Sequence, residues 1–169
     1  MAEPVQIIER VGLTMATVMA RKGASPAAIG ERLGLAPADG PRVSRAGALA
    51  LIGVGPGVWL AAAEDGRATA ELAERLAGLA SVSDQSSTYR VLRFTGPGAG
   101  RLLQKGAFID LDPHAFPPGA AAVTVIAHVG VTLWKVDAAP TFDVAVFRSY
   151  AGSFQHWIAS AGGPVPHLS

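Results

Sequence analysis

The sequence predicts an α+β protein built from two β-α-β-β-α-β halves, the split arrangement in which helices cover one face of an antiparallel sheet. Three observations carry the prediction. The stretch Tyr89–Leu103 reads as a strand running into a tight Gly96-Pro97 corner and then a helix. The order of elements before that corner is repeated after it. Local sequence also echoes at a spacing of about 70 residues, Ser25-Pro26-Ala27-Ala28 with Gly96-Pro97-Gly98-Ala99 and Ala50–Val54 with Val125–Val129, which points to an internal duplication. The expected division is 1–82 and 83–169, with the halves packed into one compact body.

Taken in order, Val5–Arg21 mixes alternation with helical spacing and is read as extended. Ser25 as N-cap, Pro26 at the first helical position and Gly34 as the stop predict a helix over Pro26–Leu33, with Ile29 and Leu33 on its apolar side. Leu35–Arg45 holds Pro37, Gly40 and Pro41 and is read as a loop. Leu49–Val54 and Val58–Ala63 form an antiparallel pair about Gly55-Pro56-Gly57. Leu72, Leu76 and Leu79 at helical spacing predict an amphipathic helix over Ala68–Ala80. After the strand Tyr89–Thr95 come a helix over Pro97–Gln104, a Pro-rich loop, and a strand pair Ala122–Ala127 and Val129–Val136. Phe142–Phe147 is a further strand and Tyr150–Ala161 the closing helix.

Composition narrows the function. Half of the residues are apolar and 16% are charged, a surface sparse enough in charge to suggest a covering partner. The net charge of +1 comes without any run of Lys or Arg that could track phosphates, so nucleic acid is not an expected partner. With no cysteine, disulfides and thiolate metal sites are excluded within this chain, in keeping with a reducing cytoplasm. The start carries Glu3, Glu9 and Arg10 and does not read as a signal peptide. Glycines and Pro56 divide the apolar stretch Ala46–Ala63, so two strands explain it better than a membrane span.

Candidate chemistry is thin. Asp84 and Ser86 invite a nucleophile, but no Gly-x-Ser-x-Gly elbow is present and a polar turn accounts for them. Asp110, Asp112 and His114 could ligate a metal, yet the spacing is common in loops and Pro113 interrupts it. Gly96–Gly100 lacks the Lys-Ser/Thr of a phosphate loop and reads as a structural corner. His128 is expected inside an apolar strand, and Trp134, His156 and Trp157 as packing or assembly anchors. No residue is assigned a catalytic, cofactor-binding or metal-binding role.

Several stretches resemble the gamma subunit of heterotetrameric sarcosine oxidase. They are Ser83-Asp84-Gln85-Ser86, the corner Leu92–Ala99, Lys105-Gly106, Ile109-Asp110-Leu111-Asp112-Pro113-His114-Ala115-Phe116-Pro117, and Phe147-Arg148-Ser149-Tyr150-Ala151-Gly152-Ser153-Phe154-Gln155-His156-Trp157. The resemblance implies a fold similar to the folate-binding domain of the glycine-cleavage aminomethyltransferase. It also implies a non-catalytic, structural subunit of a cytoplasmic four-chain flavoenzyme, with alpha, beta and delta subunits as partners. Such a complex oxidatively demethylates sarcosine to glycine, with hydrogen peroxide and, when tetrahydrofolate is present, methylenetetrahydrofolate as products. By the same resemblance FAD, FMN, NAD, tetrahydrofolate and zinc would be held by the partner subunits. Alternatives stay open at this point: a subunit of a paralogous oxidase for another N-methyl amino acid, a free-standing folate-binding or aminomethyl-transfer protein, or a self-assembling small-molecule binding module.

Overall fold

The computed structural model describes residues 3–169. In chain order its elements are β1 (Gln6–Glu9), β2 (Thr14–Ala20), α1 (Pro26–Leu33), β3 (Val43–Ala46), β4 (Leu49–Gly55), β5 (Val58–Ala63), α2 (Thr69–Arg75), β6 (Ala80–Asp84), β7 (Tyr89–Thr95), α3 (Ala99–Gln104), β8 (Ala121–Ile126), β9 (Val129–Asp137), β10 (Thr141–Phe147) and α4 (Ala151–Ser160). They form two compact units, Gly12–Ser87 and the described residues up to Val11 together with Thr88–Ser169.

In Gly12–Ser87 the sheet order is β3-β4-β5-β2-β6, antiparallel throughout. Helix α1 has the predicted bounds: Ser25 Oγ accepts from the Ala28 N–H at 3.1 Å, Pro26 opens the first turn, and Ile29 and Leu33 are buried four residues apart. Two elements depart from expectation. The loop predicted over Leu35–Arg45 contains the start of an edge strand, β3, because Arg42–Ala46 is drawn against β4. Gly53 lies so close to the Gly40 carbonyl that any Cβ would overlap it, and its N–H donates to Arg42 O at 2.9 Å. The predicted helix Ala68–Ala80 stops at Arg75. Leu76 still fills the core, but Gly78 turns the chain at φ 82°, and Ala80–Asp84 becomes β6 alongside β2. The core beneath the helices is built from residues such as Val18, Ile29, Leu51, Trp59, Leu72 and Leu76.

The second unit has the order β1-β7-β10-β9-β8, also antiparallel. Each sheet places its strands by the same rule. The strand before the first helix, β2 or β7, lies between the third strand after that helix and one closing strand. In Gly12–Ser87 the closing strand is β6, which follows α2; in the second unit it is β1, from the start of the chain. A cut at 82/83 therefore differs from the observed units at the start of the chain, because Ile7 pairs with Phe94 and packs in the second core. The echo of Ala50–Val54 with Val125–Val129 also fails at the level of elements, since in sheet order β4 takes the place of β9. The echo of Pro26 with Pro97 holds only roughly: Pro26 is the first residue of α1, whereas the helix expected over Pro97–Gln104 begins at Ala99 with Gly98 as its N-cap, leaving Pro97 in the turn before it.

Alternation along each strand divides the side chains of the second unit. Leu92, Phe94, Val131, Leu133, Phe142 and Val144 join Leu102, Leu103, Phe154 and Ile158 in the helix-side core. Val91, Trp134, Asp143 and Ala145 are buried as well but stand on the opposite face. Both faces of this sheet are thus buried, which is why its strands read as near-continuous apolar runs.

Candidate functional site

The second unit holds charged side chains at positions where a strand would ordinarily carry apolar ones. Asp143 on β10 is fully buried and faces Arg93 directly across the β7–β10 ladder. Arg93 donates from Nε to Oδ1 and from Nη2 to Oδ2, each at 2.8 Å, and Arg10 adds Nη1 to Oδ2 at 3.1 Å. The two-pronged contact matches the planar guanidinium to the carboxylate, the strong form of such a pair. On the helix side of the same sheet Lys135 of β9 is the register partner of Phe142, and its Nζ lies 5.4 Å from the centre of that ring. Phe142 in turn stacks on Phe116.

Lys135 and Phe142 belong to the wall of a groove of about 400 Å³, bounded also by Glu3, Arg101, Gln104 and the loop Asp110–Pro113. Gln104 clamps that loop: its Nε2 donates to Ile109 O at 2.9 Å and its Oε1 accepts from the Leu111 N–H at 2.8 Å. Elsewhere in the unit the Glu9 carboxylate accepts from Arg90 and from the backbone N–H (2.7 Å) and hydroxyl (2.9 Å) of Ser169. Burial would raise its pKa, but the bonds from Ser169 and Arg90 outweigh that and hold it below the ordinary 4.5.

The residues singled out in the sequence take structural positions. Asp84 Oδ1 accepts from the Ser86 hydroxyl at 2.7 Å and the Ser86 N–H at 2.9 Å, while Ser86 Oγ accepts from the Met15 N–H at 3.0 Å. This is an Asx turn at the end of β6, and the bonds from Ser86 lower the Asp84 pKa. Asp110 Oδ1 accepts from the Asp112 N–H and Asp112 Oδ1 from the His114 N–H, each at 2.9 Å, so these carboxylates shape the loop. Among the described residues no three His, Asp or Glu side chains group to hold a metal. At the glycine-rich corner a Cβ on Gly98 would stand 2.6 Å from Glu3 O, and the Gly98 N–H donates to Pro4 O at 3.2 Å. The corner is narrow so that the start of the chain can pass.

His128 requires a correction. It is exposed at the two-residue β8–β9 turn, where Ala127 and His128 have φ 50° and 67°, the primed geometry that matches strand twist, and its ring meets Phe108 edge-on. Trp134 is buried with its Nε1 lacking a hydrogen-bond partner among the described residues. Trp157 packs on Phe154 and over Gly106, and Lys105 Nζ donates to Ala161 O at 2.6 Å just past α4. The sequence reading missed Lys135, Asp143 and Arg93. Their signal was a charge inside an apolar alternation, in Leu133-Trp134-Lys135-Val136 and Phe142-Asp143-Val144.

With this geometry in hand, the comparisons with known proteins converge. A family model described as "Sarcosine oxidase, gamma subunit family" matches residues 20–163. The chain belongs to the sarcosine oxidase gamma subunit family. It is 34% identical over 128 residues to the sarcosine oxidase subunit gamma of an Arthrobacter species, covering 75% of this chain and 62% of that protein. It is 32% identical over 117 residues to the one from Corynebacterium sp. strain P-1, covering 66% and 56%. The matches thus span less than two thirds of these relatives' length. A chain of the heterotetrameric sarcosine oxidase from Corynebacterium sp. U-96, solved with pyrrole 2-carboxylate, superposes with a TM-score of 0.83 and 28% identity over 93% of this chain and 83% of that one. The glycine cleavage aminomethyltransferase T of Bartonella henselae shares the fold, with a TM-score of 0.68 and 15% identity over 98% of this chain and 47% of that protein. No helix among the described residues is long and apolar enough to cross a membrane.

Proposed function

We propose that this chain is the gamma subunit of a heterotetrameric, flavin-dependent sarcosine oxidase and that its role is structural, in assembly with alpha, beta and delta subunits. The observation that carries the reading is the superposition over 93% of the chain on a chain of the Corynebacterium enzyme. In this reading the complex oxidatively demethylates sarcosine to glycine, forming hydrogen peroxide and methylenetetrahydrofolate. FAD, FMN, NAD, tetrahydrofolate and zinc are held by the other subunits, and the complex is cytoplasmic. A non-catalytic role is supported by the use of Asp84, Ser86, Asp110 and Asp112 in turn-forming hydrogen bonds. The shared strand order supports a finer reading of the fold, in which two ferredoxin-like units arose by duplication and β1 supplies the strand that β6 supplies in the other.

The test is co-expression of the neighbouring oxidase subunits with and without this chain, followed by mass measurement, flavin content and sarcosine-dependent peroxide release. The expected result is a four-chain yellow complex with the chain, a failed or unstable assembly without it, and no turnover by the chain alone. A stable, fully active complex formed without the chain would overturn the reading.

A further inference from the structure

The two sheets end on four edge strands, and one of them is left open. β1 carries Glu9, β3 carries Arg45 and β6 carries Asp84, and these three are four, four and five residues long. Charge and shortness of this kind blunt an edge against further pairing. β8 has six residues, Ala-Ala-Val-Thr-Val-Ile, with neither a charge nor a proline, and no Asp, Glu, Lys or Arg lies between Asp112 and Lys135. Val123 near its centre is 62% exposed.

The ladder shows which backbone groups of β8 are unused. Lys135 N–H donates to Ala120 O at 3.0 Å, and the hairpin closes on the pair Ile126 and Val129. Alternation then turns Ala122 and Thr124 toward β9, and the N–H and C=O groups of Ala121, Val123 and Val125 away from it. Among the described residues no backbone hydrogen bond takes up the N–H of Val123 or Val125. The far end of the edge is closed: Ala107 bridges Ile126, and Ala127 N–H donates to Gly106 O at 3.0 Å. Phe108, the next residue, is 74% exposed at that end, and its ring meets that of His128 edge-on.

Such an edge fits an added strand, whose main chain supplies the missing hydrogen bonds. A second copy of β8 does not fit. Paired Val123 on Val123, the register that covers the whole of Ala121–Val125, an antiparallel copy would set its own Ala120 opposite Ile126, the place that Ala107 already holds. A charged segment does not fit either, because no side chain along the edge would pair its charge. We propose that the open edge of β8 receives a short, uncharged, extended segment of a partner subunit of the oxidase, with the exposed Phe108 ring as the aromatic anchor at its end. The inference rests on the assembly role proposed above and gives that role a surface.

The experiment is hydrogen exchange resolved to single amides, on the full chain alone and in the complex co-expressed with the neighbouring subunits. The Val123 and Val125 amides are expected to exchange rapidly in the free chain and at least about tenfold more slowly in the complex. Val123→Lys, which puts a charge on the edge, and Phe108→Ser should each weaken incorporation into the complex by at least about tenfold. A complex in which the two amides exchange as they do in the free chain, or which takes up both variants like wild type, would overturn this inference and leave the assembly role standing. A free chain that is already a dimer with both amides slowed would overturn it in favour of self-pairing. Failure of the wild-type chain to join any complex would overturn both readings.

Discussion

The two units arrange their strands by the same rule, yet only one of them buries charge. In Gly12–Ser87 the fully buried side chains are apolar, Met15, Leu51, Ile52 and Trp59 among them, and every acidic residue is exposed. The buried polar side chains Thr132, Lys135, Thr141 and Asp143 all belong to the second unit. The contrast separates what the topology requires from what has been added to it. Apolar alternation and two turn-bounded helices suffice to build the sheet, as the first unit does. A buried ion cluster is at best weakly stabilising overall compared with apolar residues of similar volume, so its presence points to specificity or binding.

The sharpest break of this comparison is Asp143→Ala. Removing the carboxylate leaves Arg93 and Arg10 facing each other beside a buried void, and loss of one partner of a buried pair costs about 3–5 kcal/mol. Urea denaturation should show that loss; a cost under about 1 kcal/mol, the scale of an exposed pair, would mean that the units differ less than their burial suggests. Close backbone approaches are expected to matter equally in both units. Gly53→Ala pushes on the Gly40 carbonyl and Gly98→Ala on the Glu3 carbonyl, each with a cost of about 1–3 kcal/mol. Hydrogen exchange should localise the first loss to β3 and β4 and the second to β1 and β7.

A smaller effect separates the helix starts. Ser25→Ala removes the side-chain cap of α1 and should cost about 1 kcal/mol, whereas α3 begins at Gly98 with no side-chain cap to lose. The smallest expected effects are in the acid range. Glu9 in the second unit and Asp84 in the first both have lowered pKa values. Each must be charged to hold its hydrogen bonds, so its contribution is present above the ordinary value and disappears as pH falls through the lowered folded one. Glu9→Gln should therefore lower Tm at neutral pH, and the gap to wild type should close below pH 4.5, the ordinary glutamate value. Asp84→Asn should do the same with its gap closing below pH 3.8. A gap that persists unchanged at lower pH would show that charge is not what these carboxylates contribute.

How much was legible follows from the range of the forces involved. Helix α1 was readable to the residue because Ser25, Pro26 and Gly34 act within one turn of it, and β7 because its alternation is bounded by Gly96-Pro97. Strands β3 and β6 were not, since Arg42–Ala46 and Ala80–Asp84 carry weak patterns and are extended only because β4 and β2 offer them unpaired backbone. Trp134 and Trp157 could be expected as anchors from their type alone. His128 was misplaced because two residues with positive φ in a turn look, in sequence, like a continuation of the apolar run around them.

The sequence by itself determined the α+β class, the best-bounded helix, the central strands and the family, all of which rest on local periodicity, capping and motif identity. Only the tertiary structure decided that β1 closes the sheet of the opposite end of the chain, that Asp143 gathers Arg10 and Arg93, and that Lys135 and Phe142 share the wall of one groove. Those are pairings across long stretches of chain, selected by register and burial after the strands have come together, and no local pattern encodes them.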